Sequence, residues 1–295
     1  MYCDRQTLIS VIMGVYRPDG RRLKLAIQSL LNQTIENWEL ILYDDGSGAA
    51  YEGLLQEAAE LDSRIVLVRG EKNRGLAHGL NRCLKVAKGS YIARMDDDDF
   101  CHPERFQRQL EFLQTHPQYG WVGTNAVLFD EKGLWGQLVM PERPEDRDFL
   151  RYSPYIHPSV MFRREVFGIA HGYITARVTK RCEDYELFMR LHMRGCRGYN
   201  IQETLFFYRE DMKSHGKRTF ASRVNESRIR YRGFRRLGIL SPRTWPSVLR
   251  PIVGGLIPVG RISYLLRRNG NGVSLEDRQA AAVYEDSGEI GVPTR

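Results

Sequence analysis

GSYIARMDDDD (Gly89–Asp99) is the stretch on which the fold turns. Its first part, Ser90–Met95, is a short, mostly apolar run and reads as a buried strand. The four carboxylates that follow repel one another, so they make a poor structural element by themselves. Side chains alternate along an extended chain, so alternate aspartates at a strand end can point one way. A solvated acidic turn is the competing reading, since charge runs usually face water.

The flanking sequence decides between them. Upstream lie three more strand-like runs: Leu8–Val15, bounded by Arg17-Pro18-Asp19-Gly20; Trp38–Asp44, ended by Asp44-Asp45-Gly46-Ser47; and Arg64–Arg69. Between them Leu23–Leu31, Tyr51–Leu61 and Gly75–Ala87 have helical spacing. Strand–helix alternation predicts an α/β fold with a doubly wound, mainly parallel sheet. In such sheets ligands sit beyond the carboxyl ends of the strands. Those ends carry Tyr16-Arg17, Asp44-Asp45 and Asp96–Asp99.

Downstream the pattern is mixed. Pro103–Thr115 reads as a helix opened by Pro103, and Gly120–Phe129, Ser159–Arg163 and Tyr199–Tyr208 read as strands. Glu183–Arg194 reads as an amphipathic helix with Leu187, Phe188 and Leu191 inward. Arg223–Arg268 is expected to be helical and basic, broken by Pro242, Pro246, Pro251 and Pro258. Asn269–Arg295 is polar and expected to be disordered. The predicted organisation is a catalytic domain over residues 1–214, a basic helical extension over 215–268, and a tail over 269–295.

Composition narrows the function. The chain has 295 residues, 42% of them apolar, enough for a sizeable core. Its five cysteines are scattered and form no Cys-x-x-Cys pair, which argues against a zinc site or a disulfide framework and for a reducing cytoplasm. No signal peptide and no run of roughly 18–20 apolar residues is present. The net charge of +8 is uneven: Lys217–Arg268 holds thirteen Lys or Arg against Glu226 alone. A basic, partly apolar extension on a near-neutral body calls for an anionic partner, a membrane surface in the first place. A helical appendage packed on the body with solvated arginines is the alternative. No nucleic-acid recognition motif accompanies the charge, and no nucleic acid is expected as a partner.

Several residue groups admit two readings. Hard divalent cations are held by one or two carboxylates plus phosphate oxygens, which suits Asp96–Asp99. Asp44-Asp45-Gly46-Ser47 fits a turn with an Asx-type hydrogen bond as well as a ribose contact. Glu183-Asp184 fits helix-dipole compensation as well as a general base. His157 fits a satisfied structural histidine as well as a ligand.

Taken together and in order, SVIMGVYRP, NWELILYDDGS, KNRGLAHGLN, GSYIARMDDDD, HPSVMF and CEDYELFMRL resemble the inverting GT-A glycosyltransferases of family 2, a group that includes capsule, exopolysaccharide and lipopolysaccharide enzymes. The resemblance spans about Leu8 to Ser214. It implies that Val15 and Tyr16 line a uracil pocket. Asp45, with Asp44 beside it, binds base or ribose, and Arg74 lies over the nucleotide. Met95, Asp96 and Asp97 lie on the donor side. Asp96 and Asp98 form the D-x-D pair for Mn²⁺ or Mg²⁺, with Asp98 the direct metal ligand. Asp184 is the general base, Glu183 supports it, and His157 lies near the diphosphate or acceptor, or serves as a further metal ligand. Many relatives place a small residue where this chain has Asp97.

The implied reaction moves a sugar from a nucleotide-diphosphate donor, UDP before GDP or dTDP, to a hydroxyl of a glycan or an undecaprenyl-diphosphate-linked acceptor, with inversion. Such an acceptor would place the chain in the cytoplasm, peripheral on the inner face of the plasma membrane. The alternative is a catalytically inactive GT-A-fold binding or regulatory protein, because fold does not fix function. A nicotinamide dehydrogenase would need Gly-x-Gly-x-x-Gly after the first strand, where this chain has GVYRPDG. A phosphatase or nucleotidyltransferase could also use clustered aspartates.

Overall fold

The computed structural model describes residues 8–211, 219–256, 273–282 and 284. The predicted alternation holds for the first hundred residues. Strands β1 (Ile9–Val15), β2 (Trp38–Asp44), β3 (Ile65–Arg69) and β4 (Tyr91–Arg94) alternate with helices α1 (Gly20–Leu31), α2 (Glu52–Glu60) and α3 (Leu76–Val86). β3, β2, β1 and β4 lie side by side and parallel. Strands covered on both faces need apolar residues at consecutive positions, and β1 and β2 have them. Val11 and Met13 join Leu40 and Leu42 in a core with Leu23, Ile27 and Leu30 of α1. Ile12, Ile41 and Tyr43 point the other way, into a core with Leu80 and Cys83 of α3.

The second half of the sheet is mixed. It adds β5 (Phe100–Cys101), β6 (Trp121–Asp130), β7 (Gly133–Leu138), β8 (Met161–Arg163) and β9 (Gly198–Arg209), in the order β3-β2-β1-β4-β8-β6-β9-β5 with β7 on β6. β8 runs antiparallel to both β4 and β6, and β6 is parallel to β9. Helix α4 (Arg105–Thr115) packs on the α1 side through Phe106 and Leu113. Helices α5 (Glu165–Ala170) and α6 (Glu183–Met193) pack on the other side, with Leu187, Phe188 and Leu191 fully buried.

The basic extension forms helices α7 (Phe220–Arg236) and α8 (Trp245–Leu256), and its part beyond 256 up to Arg268 lies outside the described residues. Ile229, Phe234 and Val248 belong to the same core as α3 and α6. Gly233 sits against Met189, where a Cβ would fall 2.3 Å from its sulphur. Arg230 is buried over the Tyr185 ring and paired with Glu226 at 3.0 Å. This stretch is therefore packed on the body and shares its core.

The expectation of disorder from Asn269 is corrected for the described part of that stretch. Residues Leu275–Ala282 form helix α9. Ala281 and Tyr284 are buried against Phe100, Phe129 and Phe207, and Asp277 accepts a hydrogen bond from Gln137 at 2.8 Å. The polar composition hid this because only a few side chains carry the contact. The rest of 269–295 lies outside the described residues.

One glycine fixes the loop after β2. Gly46 has a φ of +74°, and a Cβ there would lie 2.5 Å from the Lys72 Cα. This close approach brings the β2 tip against the loop before α3. Gly46→Ala is expected to cost about 1–3 kcal/mol, from left-handed backbone strain together with the clash. Urea unfolding measures it, and a loss well under that range would mean the two loops do not meet this way.

Candidate active site

The acidic turn is built by the strand that leads into it and by three arginines. Arg94, the last residue of β4, is fully buried, and its Nη1 lies 2.5 Å from Asp96 Oδ2. Arg105 is also fully buried. Its Nη2 donates to the carbonyls of Arg94 (2.9 Å) and Pro158 (3.1 Å), and its Nε donates to Gln109 at 3.1 Å. Gln109 in turn donates to the carbonyls of Val122 and Ser159 at 3.0 and 2.7 Å. These bonds lock the end of β4 to the His157–Ser159 turn. From β9, the Arg209 amide donates to Asp99 Oδ1 at 2.8 Å, and its Nε donates to the Asp98 carbonyl at 3.1 Å.

Within this frame Asp96, Asp98 and Asp99 each direct one oxygen into a space less than 4.8 Å across. It is the one such group among the described residues, and His157 is not in it. Asp99 therefore joins the predicted pair, whereas Asp97 stays outside. Three carboxylates make a hard oxygen donor set suited to Mg²⁺ or Mn²⁺. Asp99 Oδ2 is buried with no hydrogen-bond partner among the described residues, so a lone pair is left to accept a cation. The residues present fit a divalent ion. Burial, then the neighbouring carboxylates, pushes Asp97 up to about 7 and Asp98 up to about 6 and holds Asp99 well above the usual range.

A cleft of about 720 Å³ brings Asp96, His157, Glu183, Asp184 and Tyr208 together, with Leu138, Met140 and Tyr152 among its apolar and aromatic walls. That volume is in the range of small-molecule sites. Glu183 and Asp184 open α6, and burial followed by the charge of Asp184 raises Glu183. His157 is buried with Nε2 2.9 Å from the Tyr173 hydroxyl, and burial followed by the Arg94 charge holds it well below its ordinary value. It lies on the cleft wall.

The predicted nucleotide end is arranged differently. Asp45 does not line the cleft. Its carboxylate accepts from the amides of Arg74 (2.9 Å) and Gly75 (2.7 Å), in the loop just before α3. Asp44 Oδ1 accepts from the Ser47 amide at 2.9 Å, the Asx-type turn that the sequence allowed. Arg74 borders a smaller cavity of about 90 Å³ that shares Leu76 and Glu183 with the cleft. Tyr16 is exposed, and the Arg17 guanidinium lies 5.2 Å from its ring centre. The side chains of Val15 and Met95 turn inward. Val15 lies in the core, with its carbonyl accepting from the Asp45 amide at 2.8 Å. Met95 is fully buried, with its sulphur 3.4 Å from Arg105 Nη1. Apolar residues at strand ends are drawn inward by burial, so only their backbone edges the loops.

Sequence reasoning missed Arg94, Arg105, Gln109, Arg209 and Tyr173. Isolated polar residues inside apolar or helical patterns carry no local mark of the partners that folding brings to them.

The fold and cleft define an α/β protein with an acidic turn at its strand tips, and comparison with known proteins gives its family. The model of the family "Glycosyl transferase family 2" matches residues 10–168, and the chain belongs to that family. It is 38% identical over 255 residues to a Bacillus subtilis (strain 168) protein named as a glycosyltransferase, EpsE, covering 85% of this chain and 90% of that one. It is 33% identical over 221 residues to the Escherichia coli O-antigen biosynthesis glycosyltransferase WbnJ, covering 72% and 84%. Among solved structures, S. aureus TarS 1–349 in complex with UDP-GlcNAc superposes with a TM-score of 0.63 at 15% identity, covering 95% and 81%. The mannosyltransferase PcManGT from Pyrobaculum calidifontis, in complex with GDP-Man and Mn²⁺, gives 0.57 at 16%, covering 94% and 78%. These likenesses identify the fold as GT-A.

The raised carboxyls set a pH dependence. A carboxyl whose folded pKa is raised keeps its proton where the unfolded chain has lost it. The ion-free protein therefore loses stability as pH climbs from about 4 through about 7. A divalent ion binds the ionised form. Mn²⁺ should thus raise the melting temperature more at about pH 7.5 than at about pH 5. Equal shifts at both pH values, or an unchanged shift in Asp98→Asn, would remove the acidic turn as the ion site.

Proposed function

We propose that this glycosyltransferase moves a sugar from a UDP-sugar to a hydroxyl of a glycan or an undecaprenyl-diphosphate-linked acceptor, with inversion, in the synthesis of a surface polysaccharide. The observation that carries the reading is the single cleft that holds both Asp96 of the acidic turn and the Glu183-Asp184 pair. The named functions of the relatives support the pathway class, and the UDP-GlcNAc, GDP-Man and Mn²⁺ bound by the structural neighbours support the donor and the ion.

The chemistry divides between the two ends of the cleft. Asp184 takes the proton of the acceptor hydroxyl as its oxygen forms a bond to the anomeric carbon. The bond from that carbon to the diphosphate oxygen breaks, and its electron pair leaves with the nucleotide diphosphate. Glu183, its own ionisation disfavoured by burial, sits beside the base at the start of α6. Asp96, Asp98 and Asp99 would hold a divalent ion, which when bound offsets the charge developing on the diphosphate. Arg74, beside the smaller cavity, lies toward the nucleotide, and His157 forms the wall between donor and acceptor.

Transfer from UDP-sugars with Mn²⁺ tests the reading. Asp184→Asn should lower transfer by about 10²–10⁴-fold while leaving UDP binding intact. Asp98→Ala should weaken ion-dependent UDP binding as well. Wild-type turnover in Asp184→Asn would remove the base assignment. Ion-dependent UDP binding with no transfer or hydrolysis of any UDP-sugar would favour a non-catalytic binding protein.

We also place the chain at the cytoplasmic face of an anionic membrane. No described helix is long and apolar enough to cross a membrane, so attachment would be peripheral. Trp245, Leu249 and Val253 recur every fourth residue on α8 and are 43%, 46% and 52% exposed, and the Tyr231 ring lies 5.7 Å from Trp245. Arg228, Arg235 and Arg250 are exposed on the same two helices. Such a mixture suits an interfacial helix pair. Vesicles with anionic lipid should co-sediment the protein at low salt, and Trp245→Ser with Leu249→Ser should weaken this several-fold. Equal binding to neutral vesicles, or none at low salt, would contradict it.

A further inference from the structure

Arg94 is almost fully buried at 1% exposure, and among the described residues the Asp96 carboxylate is its ion-pair partner. Its Nε has no hydrogen-bond partner among the described residues. A buried guanidinium without a counter-ion is strongly unfavourable, so Arg94 needs the Asp96 carboxylate beside it. The Arg105 bond to the Arg94 carbonyl and the antiparallel bond from the Arg94 amide to the Val160 carbonyl (2.9 Å) fix the backbone beneath it. Arg94 has little freedom to move away.

This has a consequence for the carboxylate cluster. Asp96 gives one oxygen, Oδ2, to Arg94 while contributing to the group with Asp98 and Asp99. An incoming divalent ion therefore meets a fixed positive charge already bonded to one of its ligands, in a site where water screens little. A nucleotide diphosphate reverses this balance, because its negative charge is attracted by both cations. We propose that Arg94 is a positioning residue whose fixed charge makes the carboxylate cluster take its divalent ion together with a nucleotide diphosphate and not alone. This rests on the nucleotide-sugar reading of the cleft.

The test uses the full chain, with Mn²⁺ binding followed by electron paramagnetic resonance or calorimetry, in the absence and presence of UDP. Wild type should bind Mn²⁺ about tenfold or more weakly without UDP than with it, and by linkage Mn²⁺ should tighten UDP by the same factor. Arg94→Met should bind Mn²⁺ alone about tenfold more tightly than wild type and lose most of the UDP enhancement. Arg94→Lys, which keeps the charge, should keep the wild-type pattern. An Arg94→Met protein with a cooperative melt that binds bare Mn²⁺ no more tightly than wild type overturns the inference. Should Arg94→Met fail to fold, wild type decides: equal Mn²⁺ affinity with and without bound UDP overturns it. No UDP binding by wild type under any condition overturns the nucleotide-sugar reading, whereas UDP binding uncoupled from Mn²⁺ overturns this inference only.

Discussion

Charge balance around the turn Asp96–Asp99 is the constraint on which the site depends. Four consecutive carboxylates would drive a strand end apart unless positive groups offset them. Arg94 pairs with Asp96, the Arg209 amide and guanidinium bind Asp99 and the Asp98 carbonyl, and Arg105 ties the strand beneath to the 157–159 turn. Each arginine comes from a different element: the end of β4, the start of α4 and the end of β9. The turn is thus a product of the whole sheet, and its shape cannot be separated from the packing of the mixed half onto the parallel half.

That packing also explains why donor chemistry and acceptor chemistry face one another. The parallel strands deliver the carboxylates at their tips, as open α/β sheets do. The antiparallel β8 follows the turn containing His157, and the α6 start supplies Glu183 and Asp184 to the same cleft. Buried hydrogen bonds from Arg105 and Gln109 span the junction, so His157 and Asp96 hold fixed places relative to one another.

Legibility in the sequence followed from how local each signal was. The apolar runs of β1, β2 and β4 and the spacing of α1, α3 and α6 announced themselves because burial on defined faces is written into neighbouring residues. The two-residue β5 and the glycine-bearing β7 (GLWGQL) have no such period, and α9 (LEDRQAAA) looks like solvated chain. In the site, the acidic run and the Glu183-Asp184 pair stood out as clusters. Within that run nothing distinguished Asp99, which joins the group, from Asp97, which does not, because the turn geometry makes that choice. Arg94 and Arg105 were invisible as functional residues because their partners lie on elements that only folding brings near. Asp45 shows the opposite case: a conspicuous carboxylate whose bonds in the structure go to the Arg74 and Gly75 amides just before α3.

The α9 helix has a meaning for the order in which the molecule matures. Phe100, the residue immediately after the acidic turn, stacks on Phe207 with ring centres 4.3 Å apart and meets Tyr284 at 5.1 Å. The hydrophobic backing of the turn therefore includes a side chain that leaves the ribosome almost two hundred positions later. A nascent chain with all four of the turn's aspartates already synthesised still lacks the Tyr284 ring of that wall.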